Sequence, residues 1–399
     1  MMTDTLAVKR PSMFQMFPGT YMWSLGVMRM MASGAVFGEV AWAVRDLQAA
    51  AAVEPTGDVE AWYAAFSRLA AQVEAVGREA IAAGHQVTAR TALFRAALYW
   101  QWAEAFLPPD DVRTAPAYAS HMDCFADAAA RFEPPVEVFD LPFEGAYISS
   151  YFVRAKHLRD GEKAPVVILS DGLDGTKEEM FYAALSLAER GISCMGIDQP
   201  GQGATLRWAK LVARHDSEVA AGAVVDYLQT RDDVDAARIG IMAASMGGYY
   251  APRAVAFEKR IKACVAWGAI YDYYACWQRR VGWEPGKPVA VSTNSALGTT
   301  GKHFLSIMGV ATWEAAFAKL EAFRLAGVAR NIDCDILIVQ GADDRQTPLV
   351  EAEELFAEIS SKNKELRVYT AAEGGAAHVQ LDRPEPALSR ICDWFSDHL

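Results

Sequence analysis

The 399-residue chain has no CxxC pair, no block of basic residues, no apolar run of membrane-spanning length and no phosphate-binding consensus. Six cysteines, Cys124, Cys194, Cys264, Cys276, Cys334 and Cys392, are scattered along it, which argues against a disulfide framework or zinc site and for reduced thiols in a cytoplasmic protein. With 38 Lys and Arg against 50 Asp and Glu, the formal charge is −12, so neither nucleic acid nor an anionic membrane surface is an expected partner. The apolar, methionine-rich N-terminus contains a run of only about ten residues between Pro18 and Arg29, where a bilayer span needs about twenty. It also lacks a basic region directly before a long apolar stretch and a cleavage site, so it reads as a buried or substrate-lining segment. No GxxxxGK[ST], nucleotide fingerprint or metal-ligand cluster is present, and "IDQPGQG" (198–203 with its preceding Ile197) resembles a phosphate loop only superficially. No cofactor and no metal are expected.

What is present is a globular composition, 52% hydrophobic and 22% charged, sufficient for one large domain plus a second region. From Asp58 to Leu107 the apolar period is helical. Trp62, Phe66, Leu69, Val73 and Val76 form one stripe that Gly84 can end. Thr88 can cap a second helix carrying Ala92, Ala96, Tyr99, Ala103 and Phe106 before Pro108 and Pro109. Near residue 134 the pattern changes to a hairpin, "PPVEVFDLPFEGAYISSYFVRA". Then come apolar runs that alternate with helical segments: "APVVILSDG", "GISCMGIDQPG", "ARIGIMAAS", "IKACVAWGA" and "CDILIVQGADD". Strands apolar on both faces indicate an α/β fold, a mostly parallel sheet with helices on both sides. The expected division is a helical N-terminal cap region, 1–133, and a catalytic domain, 134–399. An aromatic insertion at 270–331 would act as a lid over the ligand crevice or as extra helices packed on the N-terminal region.

Ser245 sits in "AASMGG" between a buried strand and a helix, where a sharp turn exposes its hydroxyl; Ala243 stands where the GxSxG pattern has its first glycine. A hydroxyl needs a base, and the base needs a carboxylate to hold its tautomer. Strand-end loops supply both in the order serine, acid, histidine: Asp344, favoured by spacing over Asp343, and His378 in the small-residue loop "AAEGGAAHVQ". Oxyanion donors would be the amides of Met246 and of Leu173 in "SDGLDGTKEE". Asp174 is either a substrate or proton-handling carboxylate or a turn and cap residue. Trp277, in the aromatic insertion, is an expected contact for a flat apolar substrate.

The helical segment "AGHQVTARTALFRAALYWQWAEAFL", the loop "DGLDGTKEE", the turn "DQPGQG" and "SMGGYYAPR" together resemble the 2,6-dihydroxypseudooxynicotine hydrolase family of α/β-hydrolases and the related fungal enzymes that shorten polyketide chains. The resemblance runs from about residue 57 to the end. It implies hydrolysis of a carbon-carbon bond next to a ketone in an aryl or polyketide β-dicarbonyl compound. It also implies Ser245, Asp344 and His378 as the triad, Leu173 and Met246 as oxyanion donors, and a homodimer formed partly through the apolar N-terminal segment. The family often has glutamate at Asp174 and glycine at Ala243, which leaves ester or thioester hydrolysis open. A non-catalytic binding protein on the same scaffold is the reading from another class.

Overall fold

The computed structural model describes residues 13–159, 161–289 and 300–399. Eight strands form one sheet: β1 (Glu137–Phe143), β2 (Ala146–Val153), β3 (Ala164–Ser170), β4 (Ser193–Ile197), β5 (Val234–Ala244), β6 (Ile261–Trp267), β7 (Asp335–Gly341) and β8 (Lys364–Tyr369). Their order across the sheet is β1-β2-β4-β3-β5-β6-β7-β8. β2 runs antiparallel to both β1 and β4, and every pairing from β4 to β8 is parallel. The β1–β2 turn is two residues long, and both Glu144 (φ 48°) and Gly145 (φ 77°) are left-handed, the geometry that matches the twist of the flanking strands.

The central parallel strands are apolar over most of their length because both faces are covered there, while the edge strand β8 (KELRVY) is only partly buried. In β3, Val167 and Leu169 join the core on the side of the N-terminal helices, while Val166 and Ile168 join the core on the other side; Met242 and Ile241 divide in the same way on β5.

Before the sheet lie two antiparallel-reading helices, Val59–Ala82 and Gln86–Glu104. Asp58 caps the first, its carboxylate accepting from the Glu60 and Ala61 amides at 3.1 and 3.2 Å, and Gly84 (φ 81°) follows its end. Trp62, Phe66, Leu69 and Val73 are buried as the period predicts, but Val76 is 49% exposed. Gly77 takes the contact position instead. A Cβ there would stand 2.6 Å from Leu93 Cγ, so the two helices meet at a distance that excludes a side chain. Thr88 does not cap the second helix, which begins two residues earlier, after His85.

The apolar N-terminal run forms the helix Tyr21–Ala32, with Trp23, Leu25, Val27 and Met30 buried. Among the described residues no helix is long and apolar enough to cross a membrane. The aromatic insertion contributes helices Tyr273–Val281, Thr300–Met308 and Trp313–Leu320, and its residues 290–299 lie outside the described residues. It packs on the helical region, where His303 Nε2 lies 2.7 Å from the Leu107 carbonyl.

Gly77→Val inserts volume against Leu93 and is expected to lower stability by about 1–3 kcal/mol, whereas Val76→Ala on the exposed side changes it by less than about 0.5 kcal/mol. Urea unfolding of the two variants beside the parent checks this, and equal midpoints would contradict the packing described.

Candidate active site

Ser245 follows β5 directly, at the carboxyl edge of the sheet between β3 and β6. Its φ is 57°, a left-handed conformation unusual for a side chain other than glycine. Its amide donates to the Trp267 carbonyl at 2.8 Å, and its carbonyl accepts from Gly248 at 2.7 Å. The turn leaves no room for side chains around it. A Cβ on Gly248 would be 2.2 Å from the Gly268 carbonyl oxygen, one on Gly247 would be 2.5 Å from Ala243 Cβ, and one on Gly172 would be 2.8 Å from Ser245 Cβ. Ala243, fully buried, is accommodated because Gly247 faces it.

The β7 and β8 loops converge on this hydroxyl. His378 Nε2 lies 2.9 Å from Ser245 Oγ, and His378 Nδ1 lies 2.8 and 3.0 Å from the two Asp344 oxygens. Asp344 also accepts from the Gln346 and Thr347 amides and from the Thr347 hydroxyl, all within 2.9 Å. Burial works to raise its pKa, but the imidazole and these donors outweigh it and hold the carboxyl below its usual range. Asp343 instead donates its amide to the Ala376 carbonyl, at 2.9 Å, and so binds the histidine loop through backbone. Asp382 completes that loop by accepting from the Gly375, Ala376 and Ala377 amides at 2.7, 3.1 and 3.0 Å. The glycines mark this loop in the sequence; nothing in the sequence marks Asp382 as its organiser.

The amides of Leu173 and Met246 donate to no protein acceptor among the described residues. The Leu173 loop is braced from behind by the "DQPGQG" turn. Gln202 Nε2 donates to the Asp171 and Gly172 carbonyls, both at 2.6 Å. Asp198 accepts from the Lys177 amide at 2.8 Å and from its ammonium at 3.2 Å. Lys177 Nζ also lies 2.7 Å from Glu178, whose other oxygen is 3.3 Å from His121 Nε2 on the helix Thr114–Ala129. All four side chains are buried. The turn that superficially resembled a phosphate loop therefore ties the Leu173 loop to the helical region.

A cavity of about 350 Å³ opens in front of Ser245 and His378, lined by Leu173, Trp267, Ile270 and Tyr273 and closed by Met22, Leu25 and Arg29 of the N-terminal helix. Trp277, expected as a substrate contact, does not line it. That ring is fully buried in the core, stacked on Phe304 at 3.7 Å. The aromatic that this helix puts at the wall is Tyr273, four residues earlier and thus one turn away.

Asp174 does line the cavity, as an ion-pair partner: Arg29 Nη1 donates to it at 2.9 Å, while Arg29 Nε and Nη2 grip Glu179 at 3.0 and 2.8 Å. Burial would raise the Asp174 pKa, but Arg29 beside it lowers it. Asp171, which the sequence did not single out, carries the opposite shift. Burial and the nearby Glu179 charge push its carboxyl up to about 7, against the pull of Arg29. Among the described residues no group of three or more His, Cys, Asp and Glu side chains is arranged to hold a metal ion.

A mostly parallel sheet flanked by helices, with this loop geometry at its carboxyl edge, defines an α/β-hydrolase. The chain belongs to the FrsA-like esterase family, whose profile (Esterase FrsA-like) matches residues 62–285. It is 30% identical over 370 residues to 20-hydroxy-prefusarin hydrolase FUS2 of Gibberella moniliformis, covering 85% of this chain and 88% of that one. It is 28% identical over 415 residues to hydrolase LUC6 of a Fusarium species, covering 96% and 98%. Among solved structures, 2,6-dihydroxy-pseudo-oxynicotine hydrolase superposes with a TM-score of 0.77 at 25% identity over 94% of this chain and 95% of that one. The protein is thus a hydrolase, and its family points to a small-molecule substrate.

The raised Asp171 pKa has a sign that can be tested. The folded state holds this proton more tightly than the unfolded chain, whose Asp titrates near about 3.9. The stability it contributes is therefore complete below that value and is lost as pH rises towards about 7. Asp171→Asn, which keeps an oxygen for the Gly172 amide, is expected to raise Tm relative to the parent at about pH 8 and to change it much less at about pH 4. Calorimetric scans at both pH values check this; an equal difference at both would sink the assignment.

Proposed function

We propose that the protein is a serine hydrolase that cleaves a carbon-carbon bond adjacent to a ketone in an aromatic or polyketide-like substrate, with Ser245, His378 and Asp344 as its triad. The observation that carries the triad is the continuous relay at 2.9 Å from Ser245 Oγ to His378 and at 2.8 Å from His378 to Asp344, beside a mainly apolar cavity. Bond type and substrate class come from the sequence resemblance and are consistent with relatives named for hydrolysis of 20-hydroxy-prefusarin and 2,6-dihydroxy-pseudo-oxynicotine.

In this mechanism His378 takes the Ser245 proton as Oγ adds to the ketone carbon, and Asp344 stabilises the imidazolium. The Leu173 and Met246 amides receive the oxyanion. Collapse breaks the carbon-carbon bond, and the departing electron pair is delocalised into the second carbonyl as an enolate, which takes the proton from His378. Water activated by His378 then releases the acid from Ser245. An ordinary alkyl carbanion is too basic to leave, so the substrate must be a β-dicarbonyl or its aryl equivalent. The family description as esterases favours a second reading, ester hydrolysis on the same triad. In both readings the enzyme draws on no cofactor, works in the cytoplasm and pairs as a homodimer, which light scattering across a range of concentrations tests directly.

Fluorophosphonate labelling is expected to modify Ser245 in the parent and to fail in Ser245→Ala and His378→Ala. The unlabelled parent, still folded and tested with a small probe, would overturn nucleophilic catalysis. With labelling established, a higher kcat/KM for an aryl β-diketone than for its matched ester supports carbon-carbon cleavage; the reverse order supports the esterase reading.

A further inference from the structure

A second cavity, of about 460 Å³, lies beside the first, bounded by the end of the helix Gln86–Glu104, the segment after β4 and the insertion helix Thr300–Met308. Among the described residues only Arg29 and Asp174 line both cavities, and they are bonded to each other at 2.9 Å. The partition between the chambers is therefore this ion pair. Neither partner is fully enclosed, their side chains being 15% and 32% exposed.

The chemistry of the second chamber is specific. Trp102, Leu206, Trp208 and Ile307 supply apolar wall. Of its charges, Arg207 is neutralised by Glu104 at 2.5 Å, Asp111 by Arg113 at 2.7 Å and Arg29 by Asp174 and Glu179, while Asp110 and Lys210 are exposed to solvent. Such a surface offers little to an ion and favours an uncharged, largely apolar group. At the partition, Arg29 uses three of its five N–H donors on the two carboxylates, which leaves two for a neutral oxygen passing beside it.

We propose that the second chamber is a substrate subsite: it takes the uncharged remote portion of an extended substrate whose reacting carbonyl lies at Ser245, and the Arg29–Asp174 pair reads an oxygen at the junction. This rests on Ser245 as the reacting centre. It adds a length requirement that a triad does not impose. A ligand filling both chambers must be a chain or fused-ring molecule rather than a compact ester, with its polar substituent at the boundary and an apolar far end.

Ala105→Phe and Ser306→Phe place new volume in the second chamber from opposite sides, and neither residue lines the first. With nitrophenyl acetate, kcat/KM is expected to stay within about twofold of the parent in both variants. With nitrophenyl decanoate, or with decyl acetate if the leaving side occupies the chamber, it should fall about tenfold or more, mainly through KM. An unchanged ratio of long to short ester in both series and both variants overturns the subsite. Calorimetric binding of 2-dodecanone needs no turnover and separates the two levels of the argument. Weakening by about tenfold in the variants supports the subsite even if Ser245 is not the nucleophile, and equal binding in parent and variants overturns it even if the triad is active.

Discussion

The buried ammonium of Lys177 joins the loop after β3 to the turn after β4 and, through Glu178, to the helical region. It binds Asp198, whose turn closes β4, and Glu178, which reaches His121 on the helical region; Asp198 in turn accepts the Lys177 and Ala204 amides. A charge in this position costs several kcal/mol in desolvation unless its partners are correctly placed. The interaction therefore fixes geometry more than it adds stability. Loss of one carboxylate would leave the ammonium with a single partner and loosen the loop that carries Leu173. Gly203, at φ 44°, is required at the same point, since a Cβ there would meet the Asp198 carboxyl carbon at 2.2 Å.

Strain at the site is supported in a related way. Ser245, Val379 and Gln380 all have left-handed φ values, 57°, 42° and 53°, and Val379 is β-branched. Such residues cost about 1–3 kcal/mol each and persist only where the surroundings dictate them. Trp267 at the end of β6 serves both strained segments. Its carbonyl accepts the Ser245 amide, and its indole N–H donates to Gln380 Oε1 at 2.6 Å. Serine and histidine loops, 133 residues apart in sequence, are thus set against one indole and its backbone.

The helical region serves the cavity as well as the core. Arg29 on the N-terminal helix spans to Glu179 and Asp174 and stacks over Trp102 at 4.8 Å, beside Asp171, whose carboxyl burial and the Glu179 charge push up to about 7. Three carboxylates around one guanidinium would otherwise repel, and protonation of one relieves that repulsion. The insertion closes the opposite side, with Tyr273 at the wall and Trp277 and Phe304 stacked behind it.

The parallel sheet was legible in the sequence because strands covered on both faces read as near-continuous apolar runs, and such strands separated by helical periods admit few other arrangements. Ser245, Asp344 and His378 could be read for a related reason: each sits in a loop at a strand end, and strand ends follow from the same pattern. The exchange of Val76 for Gly77 could not be read, because it depends on how closely a second helix approaches. Nor could that of Trp277 for Tyr273, which share one face of a helix a turn apart, so that the outcome depends on which turn reaches the cavity. Arg29 is the clearest case. Its partners lie 145 and 150 residues away, and a lone arginine in an apolar run says nothing about which carboxylates it will meet. The sequence determined which elements form and which loops hold reactive groups, since those follow from local periodicity and turn chemistry. The tertiary structure alone decided which charges face one another across the cavity, because that depends on the distance between chain segments that only packing brings together.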